Sequence, residues 1–99
     1  MGYYEIELSQ KASTELDEAY GWYEEQLAGL GFRFITEVNK YLSKINKTPK
    51  LFQVRFADDI RAVPLKVFPY LIVYWIDETT VKVIVLSIFH AKRHPSAAF

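Results

Sequence analysis

The hydrophobic pattern of this chain changes period twice. Tyr4, Ile6 and Leu8 alternate with Tyr3, Glu5 and Glu7, the period of two that marks a half-buried strand over residues 3–8. Ser9 then stands in an N-cap position, where a short hydroxyl side chain can accept from the first helical turn. From there Ala12, Leu16, Ala19, Tyr23, Leu27 and Leu30 recur at spacings of three and four, one face of an amphipathic helix. Gly29-Leu30-Gly31 breaks that helix, because glycine gives the backbone access to positive φ at a C-terminal cap. A second helical face follows at Phe34, Val38, Tyr41, Leu42 and Ile45. It ends ahead of Pro49, since proline pushes the residue before it out of the helical region. The short junction suits an antiparallel helical hairpin.

The remaining pattern predicts strands over residues 51–56, 60–67, 70–76 and 81–89. Ala57-Asp58-Asp59 forms a turn-like break, Phe68-Pro69 a second one, and Asp77-Glu78-Thr79-Thr80 a polar hairpin loop. Near-continuous apolar runs place the last two strands at the centre of a sheet. Pro64 has no N–H to give a ladder, so its strand is expected to be an edge or to bulge there. The order β-α-α-β-β-β-β describes an α+β fold, a helical hairpin on one face of a mainly antiparallel sheet, and residues 1–99 form one domain. Tyr70, Tyr74 and Trp75 are assigned to the core; Trp22 and Tyr23 join the helix to the sheet or to a partner.

Composition narrows the function classes. Ninety-nine residues, 51% of them hydrophobic, make a foldable domain rather than a disordered one. Cysteine is absent, which excludes disulfides, thiolate catalysis and sulfur-based zinc sites. No apolar run approaches the roughly 20 residues of a membrane helix, and the N-terminus carries no basic-then-apolar leader, so a cytoplasmic protein is expected. The formal net charge is zero, against a protein held on nucleic acid by its overall field. The charges are nonetheless segregated. Glu15, Asp17, Glu18, Glu24 and Glu25 crowd the first half, whereas Lys40, Lys44, Lys47, Lys50, Arg55, Arg61 and Lys66 follow later. Lys40, Lys44 and Lys47 near a helix C-terminus complement its dipole.

Candidate chemistry concentrates where the last strand runs into His90-Ala91-Lys92-Arg93-His94-Pro95. His90 and His94 are four apart, a metal-compatible spacing, but no carboxylate lies beside them in sequence and two cations separate them, so no metal and no cofactor are expected. No serine sits in a Gly-x-Ser-x-Gly turn, and the four glycines do not form a phosphate loop. The adjacent pairs Glu24-Glu25 and Asp58-Asp59 are taken as solvated. What remains is basic: Arg55, Arg61 and Lys66 on the strands, with His90, Lys92 and Arg93 at the end of the last one. Arginine suits phosphate or carboxylate through paired hydrogen bonds, and histidine can act as a general acid near neutrality. Such a set could serve a metal-free ribonuclease or bind a carboxylate-rich partner without chemistry.

Several segments carry a resemblance: Tyr20-Gly21-Trp22-Tyr23-Glu24-Glu25-Gln26, Gly29-Leu30-Gly31-Phe32-Arg33-Phe34, Ile60-Arg61, Phe68-Pro69-Tyr70-Leu71-Ile72-Val73-Tyr74 and Ile88-Phe89-His90-Ala91-Lys92-Arg93-His94-Pro95. In this order, over nearly the whole chain, they resemble the RelE/ParE superfamily of toxins from type II toxin-antitoxin modules, and its ParE-like, plasmid-stabilisation branch in particular. The resemblance implies a growth-inhibiting toxin silenced by a cognate antitoxin, which alone contacts operator DNA. ParE-like members imply inhibition of DNA gyrase, and RelE-like members imply ribosome-dependent cleavage of messenger RNA. By the second implication Arg61 matches a phosphate-binding arginine and His90 a terminal acid, whereas Lys50 falls near where such nucleases carry a glutamate and Phe89 offers no phenol. A gyrase-binding toxin is therefore the expectation. The alternatives are a ribosome-dependent endoribonuclease using Arg61 and His90, or a member active only in antitoxin binding and autoregulation. Arg55, Arg61, His90, Lys92 and Arg93 are expected to form one antitoxin- or target-binding surface.

Overall fold

The computed structural model describes residues 3–56 and 58–92, so Arg93, His94 and Pro95 of the expected terminal cluster lie outside the described residues. The chain runs β1 (Glu5–Leu8), α1 (Gln10–Gln26), α2 (Leu30–Lys47), β2 (Val54–Phe56), β3 (Ile60–Pro64), β4 (Tyr70–Asp77) and β5 (Lys82–His90). The α+β order matches the expectation, and the sheet is mixed, with strand order β1-β5-β4-β3-β2. β1 pairs parallel to β5, and every other neighbouring pair is antiparallel. No helix among the described residues is long and apolar enough to cross a membrane.

Ser9 caps α1 as its position suggested: its Oγ accepts from Ala12 N–H at 3.0 Å and donates to the Leu86 carbonyl at 3.0 Å. Ala12, Ala19 and Tyr23 are buried on the face turned to the sheet, with Leu16 packed at its edge. The apolar periodicity overshoots the helix. Leu27 adopts an extended conformation, is 62% exposed, and Leu30 already opens α2. The break is made by Gly29 at φ 90°, a conformation that L side chains rarely adopt. Gly31 serves a different need, because a Cβ there would stand 2.7 Å from the Tyr20 carbonyl oxygen.

The Glu24 side chain corrects the expectation that it is merely solvated. Its two oxygens accept Gly29 N–H at 2.8 Å and Gly31 N–H at 2.9 Å, satisfying donors that the turn and the start of α2 leave orphaned. Phe34, Val38 and Ile45 of α2 are buried, and the helix stops at Lys47, ahead of Pro49.

β2 and β3 are shorter than the pattern predicted. Leu51 N–H turns back to the Thr48 carbonyl, so pairing in β2 begins only at Val54. Pro64 is the last residue of β3 and pairs with Leu71 on the β4 side, beyond the reach of β2, so the missing N–H costs no ladder bond. β4 and β5 are the central strands, as their apolar runs implied. Val73 pairs with Ser87 and Tyr74 with Val85, leaving Leu86 as the extra residue of a bulge. The sheet separates two apolar clusters. Tyr70, Ile72, Tyr74, Val83, Val85 and Ile88 join the helices in the main core, whereas Ala62, Val73 and Phe89 pack with Phe56, Ile60, Leu71 and Leu86 on the other side. Trp75 is 39% exposed and not a core residue: it follows Tyr74, the last β4 residue opposite β3, so no third strand shelters it.

Candidate functional site

Strand alternation directs Arg61 and His90 to the helix-covered side of the sheet but leaves them apart. Arg61 pairs with Tyr74, whereas His90 pairs with Tyr70. The four intervening steps span about 13 Å of strand. Arg61 is half-buried, and its Nη1 donates to the Phe52 carbonyl at 2.7 Å. Beside it the Tyr74 hydroxyl donates to the Pro49 carbonyl at 2.6 Å. Burial pushes the Tyr74 phenol up to about 12, opposed by the Arg61 charge. Two side chains thus tie down the connection from α2 to β2. Arg55 is exposed on the edge strand β2. Lys50 ion-pairs with Glu78 at 3.2 Å, and Phe89 lies buried on the far side of the sheet.

His90 occupies the other end. Its ring meets Tyr70 edge-on, with centroids 5.3 Å apart. Lys92 N–H lies 3.1 Å from Nδ1, an arrangement that makes Nδ1 the acceptor and assigns the proton of a neutral ring to Nε2. His90 lines a cavity of about 530 Å³ between α1 and the end of β4, with Glu18, Trp22, Tyr23 and Pro69 around it. Trp22 is 56% exposed and stands edge-on to Tyr23 at 5.1 Å. Burial raises the Tyr23 phenol, with a smaller contribution from Tyr70 in the same direction.

Beneath this cavity Glu15 closes a gap in the sheet. β1 ends opposite Val85, so nothing of β1 reaches Ser87 or Ile88. Glu15 Oε1 supplies the acceptor instead, taking Ser87 Oγ–H at 2.7 Å and Ile88 N–H at 2.9 Å, while Oε2 pairs with Lys11 at 2.7 Å. Sequence reasoning missed this carboxylate, although its place between Ala12 and Ala19 on the buried helix face was a signal. It also missed Glu37, 9% exposed, which falls one residue before the buried Val38 on the core side of α2.

Of the five residues expected to share a surface, the structure brings His90 and Lys92 together and sets Arg61 and Arg55 elsewhere. Arg93 lies outside the described residues. The His90 cavity can hold a side chain or a small polar group against aromatic walls. The Arg61 end is engaged with the chain's own carbonyls.

Residues 6–95 match the protein family described as the ParE toxin of type II toxin-antitoxin system, parDE. Similar solved structures include a chromosomal ParDE toxin-antitoxin system from P. aeruginosa, at a TM-score of 0.80 and 12% identity, covering 93% of this chain and all of that one. The intact E. coli RelBE toxin-antitoxin complex gives 0.72 at 22% identity, covering 91% and 99%. The RelBE2 complex from Mycobacterium tuberculosis gives 0.61 at 15%, covering 89% and 98%. None of the curated proteins matches by sequence.

Proposed function

The chain belongs to the ParE toxin family of type II toxin-antitoxin systems, and from that premise we propose that it arrests growth by binding DNA gyrase in the cytoplasm, without bond-making chemistry of its own. The observation that carries this reading is the match to the ParE family over residues 6–95. The separation of Arg61 from His90 along β4 supports it, because phosphoryl chemistry needs its cation and its acid at one reacting centre. A cognate antitoxin silences the toxin, a partner supported by the toxin-antitoxin complexes among the similar structures. Operator DNA is contacted only through that antitoxin.

Purified toxin should inhibit gyrase supercoiling, and the inhibition should disappear when equimolar antitoxin is added. Supercoiling that proceeds undisturbed at micromolar toxin rejects the proposal. One observation favours a ribonuclease as the second reading: the His90 ring opens onto a cavity between α1 and the end of β4 that can admit a reacting group. Primer extension on translated messages separates the two, since cuts that vanish in His90→Gln belong only to the nuclease.

A further inference from the structure

The Glu37 carboxylate, nearly buried on α2, is held by backbone N–H groups. Its Oε2 accepts Lys66 N–H at 3.1 Å and Val67 N–H at 2.8 Å, and its Oε1 accepts Phe68 N–H at 3.1 Å. These bonds fasten the connection between β3 and β4 to α2. They also set Val67 on the surface, 66% exposed, across a groove of about 360 Å³ from Phe32, which is 68% exposed. Large apolar side chains this exposed, side by side, are an interaction signal rather than a packing residue's ordinary fate.

The groove is also cationic. Arg33 and Lys40 line it, and Lys66 is exposed on the adjoining connection. Arg33 and Lys40 are seven residues apart on α2, two turns or about 10 Å along one helix face. The ion pairs among the described residues are Lys11–Glu15, Lys50–Glu78 and Lys82–Glu7, so neither groove cation is in an ion pair there. Glu37 lies between them and offsets part of their charge while accepting three N–H groups, so the groove keeps a net positive lining. An occupant must therefore bring both apolar surface and negative charge. A nucleic-acid duplex, its bases stacked inside, satisfies the cations and leaves Phe32 and Val67 in water.

We propose that this groove docks an acidic amphipathic segment of the antitoxin, with an apolar side chain between Phe32 and Val67 and carboxylates against Arg33 and Lys40. The assignment rests on the toxin-antitoxin reading above and moves the docking surface away from Arg61, whose guanidinium holds Phe52. Charge complementarity of this kind sets association rate and register, while the apolar pair anchors.

The test uses the full chain and the full-length cognate antitoxin. Two variants separate the contributions: Arg33→Glu with Lys40→Glu, and Phe32→Ser with Val67→Ser. All four side chains are exposed, and a melting curve confirms that each variant folds. Each double variant should bind the antitoxin at least about tenfold more weakly, and the charge variant should also lose much of the salt dependence of association. Unchanged affinity in both folded variants overturns the assignment while leaving the antitoxin reading intact. Wild-type chain that fails to bind the antitoxin overturns the reading beneath it. A change only in the self-association of the toxin, with antitoxin affinity preserved, also rejects the assignment and gives the groove to a second copy of the chain.

Discussion

Tyr70 and Tyr74 stand four residues apart on β4, facing the same helical layer, and the two ends they mark are finished in opposite ways. At Tyr74 the chain supplies its own partners: the phenol donates to the Pro49 carbonyl and Arg61 to the Phe52 carbonyl. At Tyr70 the ring leans against His90 and a cavity opens between the strand end and α1. The difference teaches that a permanent cation in a strand is not by itself a site. Arg61 is drawn into the fold because the connection after α2 passes beside it and presents carbonyls. Among the described residues no connection presents a carbonyl to the His90 ring, which receives the N–H of Lys92. One end is a latch and the other a recess.

The largest effect should come from breaking the latch. Tyr74 is fully buried, and Tyr74→Ala removes both its core volume and its bond to Pro49, an expected loss of about 3–5 kcal/mol in urea denaturation. Tyr74→Phe keeps the volume and strands a buried carbonyl, for about 1–3 kcal/mol. A Tyr74→Ala loss below that of Tyr74→Phe would erase the distinction between the two ends.

Next in size is the floor beneath the recess. Glu15→Ala leaves Ile88 N–H and Ser87 Oγ without their acceptor at a point where β1 no longer reaches, an expected cost of about 1.5–3 kcal/mol. Glu15→Gln retains a carbonyl acceptor and should recover much of it in thermal melts. An unaffected Glu15→Ala would mean that water replaces the carboxylate, and that the recess is wetter and looser than its walls suggest.

Those two predictions also mark what the chain made legible. Period and punctuation were enough for both helices, the Ser9 cap, the Gly29 break and the central place of β4 and β5, because each depends on neighbours within a few residues. Carboxylates were the opaque part. Glu15 and Glu24 look in sequence like part of a solvated acidic run and Glu37 gives no sign at all, yet each accepts backbone N–H groups from another element or turn. Their role is set by where strands end and loops pass, which periodicity does not carry. The same holds for Arg61, whose acceptor lies nine residues back across a turn. The family resemblance, by contrast, rested on many weak local matches in order along the chain, and the match over residues 6–95 bears it out.

Alkaline titration sharpens the comparison without a substitution. The unfolded chain ionises its tyrosines near the ordinary value of 10.0, while burial holds the Tyr74 phenol up to about 12. A raised folded-state value favours the neutral form, so this contribution to stability is complete below pH 10.0 and is lost as pH rises toward 12. Tyr23 and Tyr4 are raised as well, the first chiefly by burial and the second chiefly by its hydrogen bond to Glu78, and they act in the same direction. Urea melts across this range should show wild-type stability falling more steeply than that of Tyr74→Phe. Parallel curves would assign the alkaline loss to other groups and leave the latch without a titrating member.

The smallest effect should be at the rim of the recess. His90→Asn keeps an acceptor for Lys92 N–H at the place of Nδ1 and removes a ring that is only partly buried, so stability should stay within about 0.5 kcal/mol of wild type. Trp22→Ala forfeits an edge-on contact with Tyr23 from an exposed position, for less than about 1.5 kcal/mol. A rim that barely supports the fold is free to be specified by what it meets, whereas Arg61 and Tyr74 are constrained by the connection they hold. Destabilisation at the rim as large as that of Tyr74→Ala would therefore reclassify the recess as core, and with it remove the physical reason for reading His90 as a residue that faces a partner.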